Sequence, residues 1–246
     1  MIRVAAVGDV HFTPELTGSL RGDLGALNEH ADVLLVAGDL TGNGTVEEAL
    51  ALAREIDGLE IPIVAVLGNH DYHSDQQDDI RTVMEGAGVT VLEGESTTLT
   101  IREKTLGVVG VKGFAGGFTG ASWGEFGEPQ MRALIRHTRE SAERLQMGLE
   151  DLTADRHVAL LHYSPVEATV KGEHPQMYPF LGSFLLAEAI DAAGADLVVH
   201  GHAHYGSEEG VTPGGTQVRN VAHSVIRRAY SVFEIGAGAS VTAEET

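Results

Sequence analysis

Four short polar motifs, each directly after an apolar run, carry the side chains of this sequence best suited to bind metal ions. They are Gly8-Asp9-Val10-His11, Gly38-Asp39, Gly68-Asn69-His70-Asp71 and Gly201-His202-Ala203-His204. Carboxylate, imidazole and amide groups stand side by side in them, and these groups are ligands for divalent cations. A single Gly-Asp after a strand is commonly only a turn, but four motifs with the same arrangement indicate a shared site.

The apolar runs before the motifs predict strands of a sheet that is covered on both faces, because they are almost continuous in Val, Leu, Ile and Ala. Similar runs over 157–161 and 196–199 lead into His162 and the last motif. In an α/β sheet, the C-terminal ends of the strands converge on one crevice. We therefore expect one set of candidate ligands to become neighbours: Asp9, His11, Asp39, Asn69, His162, His202 and His204.

This donor set predicts a centre of two metal ions. The chain has no cysteine, and oxygen and nitrogen ligands without sulfur suit Mn²⁺, Fe, Zn²⁺, Ni²⁺ or Co²⁺. Seven ligands are too many for one tetrahedral ion, but they fit two ions that share a bridging carboxylate. Two ions about 3.5–4 Å apart can polarise a phosphoryl oxygen and generate a hydroxide for in-line attack.

The remaining pattern alternates strands with helices and predicts a layered α/β fold. Thr45 and Glu48 form a capping box that starts a helix over 46–56. Further helices are predicted over 75–85, 129–149 and 184–193, and further strands over 89–92, 97–102, 106–111, 216–221 and 231–235, the last two antiparallel. The glycine- and aromatic-rich segment 113–127 is typical of a pocket wall or lid, and we expect irregular structure after Gly236.

The bulk composition limits the kinds of partner. A length of 246 residues suits one domain spanning 1–246. A formal charge of −20 repels nucleic-acid backbones and anionic membranes, so a nucleic-acid polymer is a poor substrate candidate. The apolar runs are too short to span a membrane, and Ile2–Val7 is too short for the apolar region of a signal peptide. We expect a cytoplasmic protein.

The motifs resemble the pattern of calcineurin-like metallophosphoesterases, which runs Asp-x-His, Gly-Asp, Gly-Asn-His-Asp/Glu, a lone His and Gly-His-x-His. All five blocks occur here in that order, between Asp9 and His204. The resemblance implies a four-layer α/β/β/α sandwich, in which two mixed sheets are flanked by helices, as in the metallo-dependent phosphatases.

The resemblance also implies a role for each motif residue. Asp9, His11 and His204 would bind the first metal, Asn69, His162 and His202 the second, and Asp39 would bridge them. His70 would contact the phosphoryl group and act as general acid for the leaving alkoxide, with Asp71 orienting it. The implied function is a binuclear-metal-dependent phosphoester hydrolase in which a metal-bridging hydroxide attacks phosphorus.

The substrate side is less defined. The block 38–44 is similar to Gly-Asp-Leu-Thr-Asp-x-Gly of the cyclic-nucleotide phosphodiesterase branch, but Gly42 replaces the second aspartate. The Gly-Asp-x-Val-Asp-Arg-Gly of protein phosphatases is absent from the sequence. We expect a small phosphodiester, a nucleotide or a phosphomonoester as substrate. Candidate substrate contacts are Asn43, Tyr72 and Tyr178, followed by Lys112, Tyr163, Arg219 and Arg227.

One alternative function and one histidine outside the ligand set remain to be considered. Some members of the superfamily keep the fold as a non-catalytic scaffold or protein-interaction module, although such members typically lose the counterpart of His70 or some ligands. His200 matches no family ligand, and we expect it to pack behind the ligands rather than bind metal.

Overall fold

The computed structural model describes residues 1–236 and 241–244, and within them two six-stranded sheets form the centre of the fold. The strands are β1 (Ile2–Val7), β2 (Val33–Ala37), β3 (Ile63–Val66), β4 (Val89–Val91), β5 (Ser96–Ile101), β6 (Lys104–Val111), β7 (Gly117–Phe118), β8 (Ala121–Ser122), β9 (Arg156–Leu161), β10 (Leu197–His200), β11 (Glu209–Val211), β12 (Gln217–Asn220), β13 (Ser231–Ile235) and β14 (Val241–Glu244). The helices are α1 (Arg21–Gly25), α2 (Leu27–His30), α3 (Val46–Glu55), α4 (Gln77–Gly86), α5 (Pro129–Asp151), α6 (Tyr178–Leu181), α7 (Phe184–Ala193) and α8 (His223–Ile226).

Both sheets are mixed, with a parallel centre. The first has the order β14-β13-β1-β2-β3-β4, in which β1 to β4 are parallel and β13 is antiparallel to both of its neighbours. The second has the order β11-β12-β10-β9-β6-β5, with antiparallel pairs at its two edges. The parallel strands therefore present the segments that follow them at one end of each sheet.

The strand sequences are apolar on both faces because each sheet is buried on both sides. In β1, Val4 and Ala6 pack against the second sheet, whereas Ala5 and Val7 pack against helices such as α3. The second sheet is covered in the same way by α5 and α7. Full burial of a valine or leucine side chain contributes about 1.5–3 kcal/mol. The four layers confirm the predicted α/β/β/α sandwich, and the single domain over 1–246 stays a prediction.

The predicted capping box is confirmed. Thr45 and Glu48 form the expected capping box at the start of α3, where the Thr45 hydroxyl accepts from the Glu48 N–H at 3.3 Å. Two strands and a short turn occupy part of segment 113–127, as β7 and β8. Among the described residues, no helix combines the length and the apolar character needed to cross a membrane.

The antiparallel direction predicted for the last strands is confirmed for β13 and holds on one side of β12, whereas the expected irregular tail is wrong. Strand β13 is antiparallel to both neighbours, but β12 is antiparallel to β11 and parallel to β10. Irregular structure was expected after Gly236, yet 241–244 form β14 and pair with β13; residues 237–240 and 245–246 lie outside the described part of the chain.

Candidate metal centre

The ends of both sheets bring candidate ligands together in two groups. One group is Asp9, His11, Asp39 and His204, and the other is Asp39, His162 and His202; within each group the ligand atoms lie within 4.8 Å of one another. The first sheet supplies the aspartates and His11, and the second supplies the other histidines. Asp39 belongs to both groups and is therefore placed to be shared by two ions.

Asn69, which follows β3, completes the set predicted from the sequence. Its Oδ1 lies 2.9 Å from Nε2 of His162, in the second group. In the first group, Nε2 of His204 lies 2.9 Å from Oδ1 of Asp9 and 3.4 Å from Nε2 of His11. The structure thus places all seven candidate ligands at one site.

Backbone carbonyls orient two of the imidazoles. Nδ1 of His162 lies 2.9 Å from the carbonyl oxygen of Ala37, and Nε2 of His202 lies 3.2 Å from that of Phe180. A carbonyl can only accept, so these nitrogens carry the hydrogen and the opposite nitrogen of each ring keeps its lone pair. This is the arrangement by which metal-binding histidines are commonly held. No local pattern in the sequence indicates the Phe180 contact, because any residue type supplies a carbonyl.

The ligand loops have a strained backbone. Among the described residues, seven other than glycine have a positive φ, and four of these are candidate ligands: Asp9 (57°), His11 (42°), Asp39 (50°) and His202 (68°). A non-glycine residue in this region costs of order 1–3 kcal/mol, and such residues concentrate at functional sites. The fold therefore stores strain where the candidate ligands meet.

Two motif glycines make room for the carboxylates. A Cβ on Gly68 would overlap the carboxylate and the backbone nitrogen of Asp39, and a Cβ on Gly201 would overlap the carboxylate of Asp9. The glycine in these motifs is explained by this close approach of one loop to the side chain of another.

The carboxylate of Asp39 tests whether the site fits a metal ion. Its Oδ1 accepts from the backbone N–H of His70 at 2.8 Å. Its Oδ2 is buried and, within the described part of the chain, has no hydrogen-bond partner, although it lies 3.7 Å from Nε2 of His11. A buried anionic oxygen without a donor is costly, and a cation bound among these ligands would satisfy it. The donor set and this oxygen both fit transition-metal ions.

The electrostatics suit cation binding as well. Burial opposes ionisation of Asp9, but the hydrogen bond from His204 and nearby histidine charges outweigh it and hold the pKa of Asp9 below its ordinary value. Burial, reinforced by His162, lowers the pKa of His202 to about 3. Asp9 is therefore ionised and His202 neutral near pH 7, which are the forms that bind metals.

Among the described residues, the carboxylate of Asp71 has no hydrogen bond to the ring of His70, so the expected orienting effect of Asp71 would act through the loop backbone. Nδ1 of His70 lies 2.8 Å from the carbonyl oxygen of Gly42, which orients the ring. Among the described residues, the carboxylate of Asp71 instead accepts from Gly68 N (2.8 Å), Leu40 N (3.2 Å), Thr41 N (2.9 Å) and Thr41 Oγ1 (2.6 Å). Burial raises the pKa of Asp71, and these donors only partly oppose the shift. Asp71 fixes the loops that carry Asp39 and His70.

We predict that Asp71→Ala lowers the free energy of unfolding of the metal-free protein by about 3 kcal/mol or more, because the change leaves several buried donors without an acceptor. Urea unfolding measures the change, and Asp57→Ala, at an exposed aspartate, should stay within about 0.5 kcal/mol of the wild type. A loss below about 1 kcal/mol for Asp71→Ala contradicts the role of its hydrogen bonds.

The candidate substrate contacts are distributed around the site. Asn43 is exposed beside Gly42, and its Nδ2 donates to Glu48 at 2.7 Å. Tyr178 is half-buried and packs against a small apolar cluster that includes Ala203, between His202 and His204. The role of these residues, and of Tyr72, in binding substrate stays a prediction.

Three further candidates differ in position. Tyr163 is buried, with its ring centroid 4.3 Å from that of His202. Arg219 is buried away from the ligands, where it pairs with Glu209 and lies over the ring of Phe233. Arg227 is exposed at the end of α8. Of these three, only Tyr163 contacts a candidate ligand.

Segment 113–127 lies beside the site. The ring of Trp123 packs edge-on against that of Phe180, with 5.2 Å between centroids, and the carbonyl of Phe180 holds His202. His200 is fully buried behind the ligands, where its ring nitrogens contact Gly201 O and Thr169 Oγ1, and burial lowers its pKa to about 4. His200 is thus packed and hydrogen-bonded, as expected.

Comparison with known protein families gives one match. The sequence profile of the calcineurin-like phosphoesterases matches residues 2–206, which include every candidate ligand. No curated protein sequence matches the chain.

Solved structures with the same fold are distant in sequence. Phosphopantetheinyl hydrolase from Mycobacterium tuberculosis superposes with a TM-score of 0.65 at 17% identity, covering 91% of this chain and 90% of that one. TT1561 from Thermus thermophilus superposes with a TM-score of 0.57 at 16% identity, and the match covers 99% of this chain and 98% of that one. GAP50, the anchor in the inner membrane complex of Plasmodium, has a TM-score of 0.57 at 12% identity, and the match covers 94% of this chain and 80% of that one. At these identities the likeness is one of fold.

Proposed function

The chain belongs to the calcineurin-like phosphoesterase family, and on that premise we propose that it hydrolyses small phosphoesters with the aid of two metal ions. The observation that carries the proposal is the position of Asp39, whose carboxylate belongs to both groups of candidate ligands and has one buried oxygen that finds no donor among the described residues. Bound ions would neutralise charge on the phosphoryl oxygens and lower the pKa of the attacking water.

The ligands divide between the two ions. Asp9, His11 and His204 would hold the first ion, Asn69, His162 and His202 the second, and Asp39 both. Imidazole, carboxylate and amide donors suit Mn²⁺, Fe, Zn²⁺, Ni²⁺ or Co²⁺. The hydrogen bonds from His162 to Ala37 and from His202 to Phe180 support this division, because they leave Nε2 of His162 and Nδ1 of His202 free to bind.

His70 is the proposed general acid. Its ring packs edge-on against His11, with 4.4 Å between centroids, so it stands at the border of the first ligand group. With Nδ1–H donating to Gly42 O, Nε2 is the nitrogen that can pass a proton to the leaving alkoxide. Asp71 is a positioning residue, because it holds the loops on which Asp39 and His70 lie.

The proposed substrate is a small phosphodiester, a nucleotide or a phosphomonoester. The formal charge of −20 supports a small substrate over a nucleic-acid polymer, and a structural neighbour is named a phosphopantetheinyl hydrolase. The site is compatible with a phosphodiesterase and with a phosphomonoesterase activity, and a cytoplasmic location stays a prediction.

We expect metal-dependent hydrolysis of bis-p-nitrophenyl phosphate or p-nitrophenyl phosphate. Chelation should remove the activity and one of the five metals named above should restore it, because the chain's own donors cannot replace the charge of the ions. Folded protein that cannot be loaded with metal, or a rate that is independent of metal, contradicts the proposal. Turnover of cyclic nucleotides, dinucleotides, sugar phosphates and phosphopeptides then ranks the substrates, and a preference for phosphopeptides contradicts the small-substrate assignment.

A further inference from the structure

Lys112, directly after β6, is a largely buried lysine that has no part in the proposed reaction. The residue is 9% exposed, and its Nζ lies 4.0 Å from the ring centroid of Tyr72 and 5.5 Å from that of Phe114. Within residues 1–236 and 241–244, its ammonium has neither a hydrogen-bond acceptor nor an ion-pair partner. Nζ itself is not fully enclosed, so a partly covered ammonium that has only two aromatic faces beside it can be reached by a ligand.

The position of Lys112 links it to the candidate metal centre. Its carbonyl accepts from the backbone N–H groups of His162 (3.1 Å) and Tyr163 (2.9 Å), so it begins the loop next to the second ligand group. Tyr72, whose ring faces the ammonium, is the last residue of the 3₁₀ turn His70–Tyr72. His70 itself packs on His11, in the first group. Lys112 therefore borders the second group, while His70 borders the first.

The charges around Lys112 come from several elements. Glu93, Asp39 and Asp71 act on it electrostatically and oppose the effect of burial, which lowers its pKa. Oε2 of Glu93 is buried without a hydrogen-bond partner among the described residues, so this oxygen is not bonded to the ammonium.

Two further basic residues on α5 lie near Lys112. The ring of His137 packs edge-on against Phe114, with 4.8 Å between centroids, and the charge of Arg144 acts on both Tyr72 and Glu93. Basic groups from two elements therefore lie together here, with Glu93, Asp39 and Asp71 nearby.

We propose that the ammonium of Lys112 binds a second anionic group of the substrate, a phosphate or a carboxylate that is distinct from the phosphoryl group being hydrolysed. The proposal rests on the proposed function, which assigns the reacting phosphoryl group to the metal ions and His70. The substrate class is then a phosphoester with two anionic groups. A charge-assisted hydrogen bond to the second group would give the ammonium a partner and admit a doubly anionic ligand to an acidic protein.

Calorimetry of metal-loaded protein tests the proposal with two pairs of product-like ligands. Adenosine 5′-phosphate and adenosine 3′,5′-bisphosphate differ by a phosphate, and glycerol 3-phosphate and 3-phosphoglycerate differ by a carboxylate. In the wild type, the second anion of at least one pair should tighten binding by about tenfold or more. Lys112→Met, which keeps a linear side chain over Tyr72, should abolish that gain and leave the binding of the singly anionic ligand unchanged.

Two variants complete the design. Lys104→Met removes the same charge from the other end of β6 and should keep the gain, and Lys112→Arg should keep most of it. A gain with the adenosine pair alone identifies a phosphate, and a gain with the glycerol pair alone identifies a carboxylate. The proposal is overturned if neither pair shows a gain, if Lys112→Met keeps it, or if that variant weakens both members of a pair equally. Binding is read without turnover, so a Lys112-dependent gain in a protein that hydrolyses no phosphoester would contradict the proposed function alone.

Discussion

Asp39→Ala is expected to reduce hydrolysis at least about a thousandfold, because the change removes the carboxylate that belongs to both groups of ligands. Each catalytic metal ion contributes several kcal/mol of transition-state stabilisation, and about 4 kcal/mol corresponds to a factor of 10³ in rate. The backbone N–H of His70 also loses its acceptor on Asp39. The change therefore acts on the metals and on the loop of the proposed acid together.

The measurement for Asp39→Ala combines kcat/KM on p-nitrophenyl esters with elemental analysis of the same sample. We expect fewer ions per chain than in the wild type as well as the loss of rate. Asp151→Ala, an exposed aspartate at the end of α5, is the matched control and should keep both properties. A variant of Asp39 that retains its full metal content and a rate within about tenfold of the wild type contradicts the sharing of this carboxylate.

His70→Ala is expected to lower the rate by about 10²–10⁴-fold while the metal content is retained, as for the loss of a general acid. His70 is not in either ligand group, and its ring is held by Gly42 O and packed on His11. The loss should be largest for substrates with an alkoxide leaving group and smallest for p-nitrophenyl esters, because p-nitrophenolate leaves without a proton.

His73→Ala is the matched control for this experiment, since His73 is an exposed imidazole whose ring centroid lies 4.4 Å from that of His70. It should retain the rate within a few-fold. An unchanged rate in His70→Ala, or a loss of equal size for alkyl and p-nitrophenyl esters, would show that the assigned role is wrong. A wild-type protein that binds metal but hydrolyses none of these esters would instead favour the non-catalytic scaffold.

The sequence indicated the ligands because their residue types and their position after apolar runs are both local signals. Asp9, Asp39, Asn69 and His202 all follow strands whose parallel direction brings their ends together. The contacts that orient the imidazole rings have no such local signal. The carbonyls of Gly42 and Phe180, which hold His70 and His202, are available in every residue type.

Asp71 shows what sequence adjacency does not indicate. The resemblance implies that Asp71 orients His70, and the two residues are neighbours in one 3₁₀ turn. Successive side chains in such a turn point about 120° apart, since it has three residues per turn. Asp71 therefore points into the core, towards Thr41 and Gly68.

The direction of β12 relative to its neighbours could not be predicted from the sequence, for a different reason. The run at 216–221 identifies a strand, but only the tertiary pairing decides that β12 lies between β10 and β11, parallel to one and antiparallel to the other. The burial of Lys112 also depends on tertiary structure, because its two aromatic neighbours, Tyr72 and Phe114, lie in separate parts of the chain. A lysine after a strand has no local signal that distinguishes a solvated side chain from this one.

The most direct test of the central claim is the metal content of the wild-type protein. After loading with excess Mn²⁺, Fe²⁺ or Zn²⁺ and removal of unbound ions by gel filtration, elemental analysis should find about two ions per chain, because Asp39 joins two groups of ligands at one site. One ion per chain at saturation, or none in a folded sample, would contradict the account.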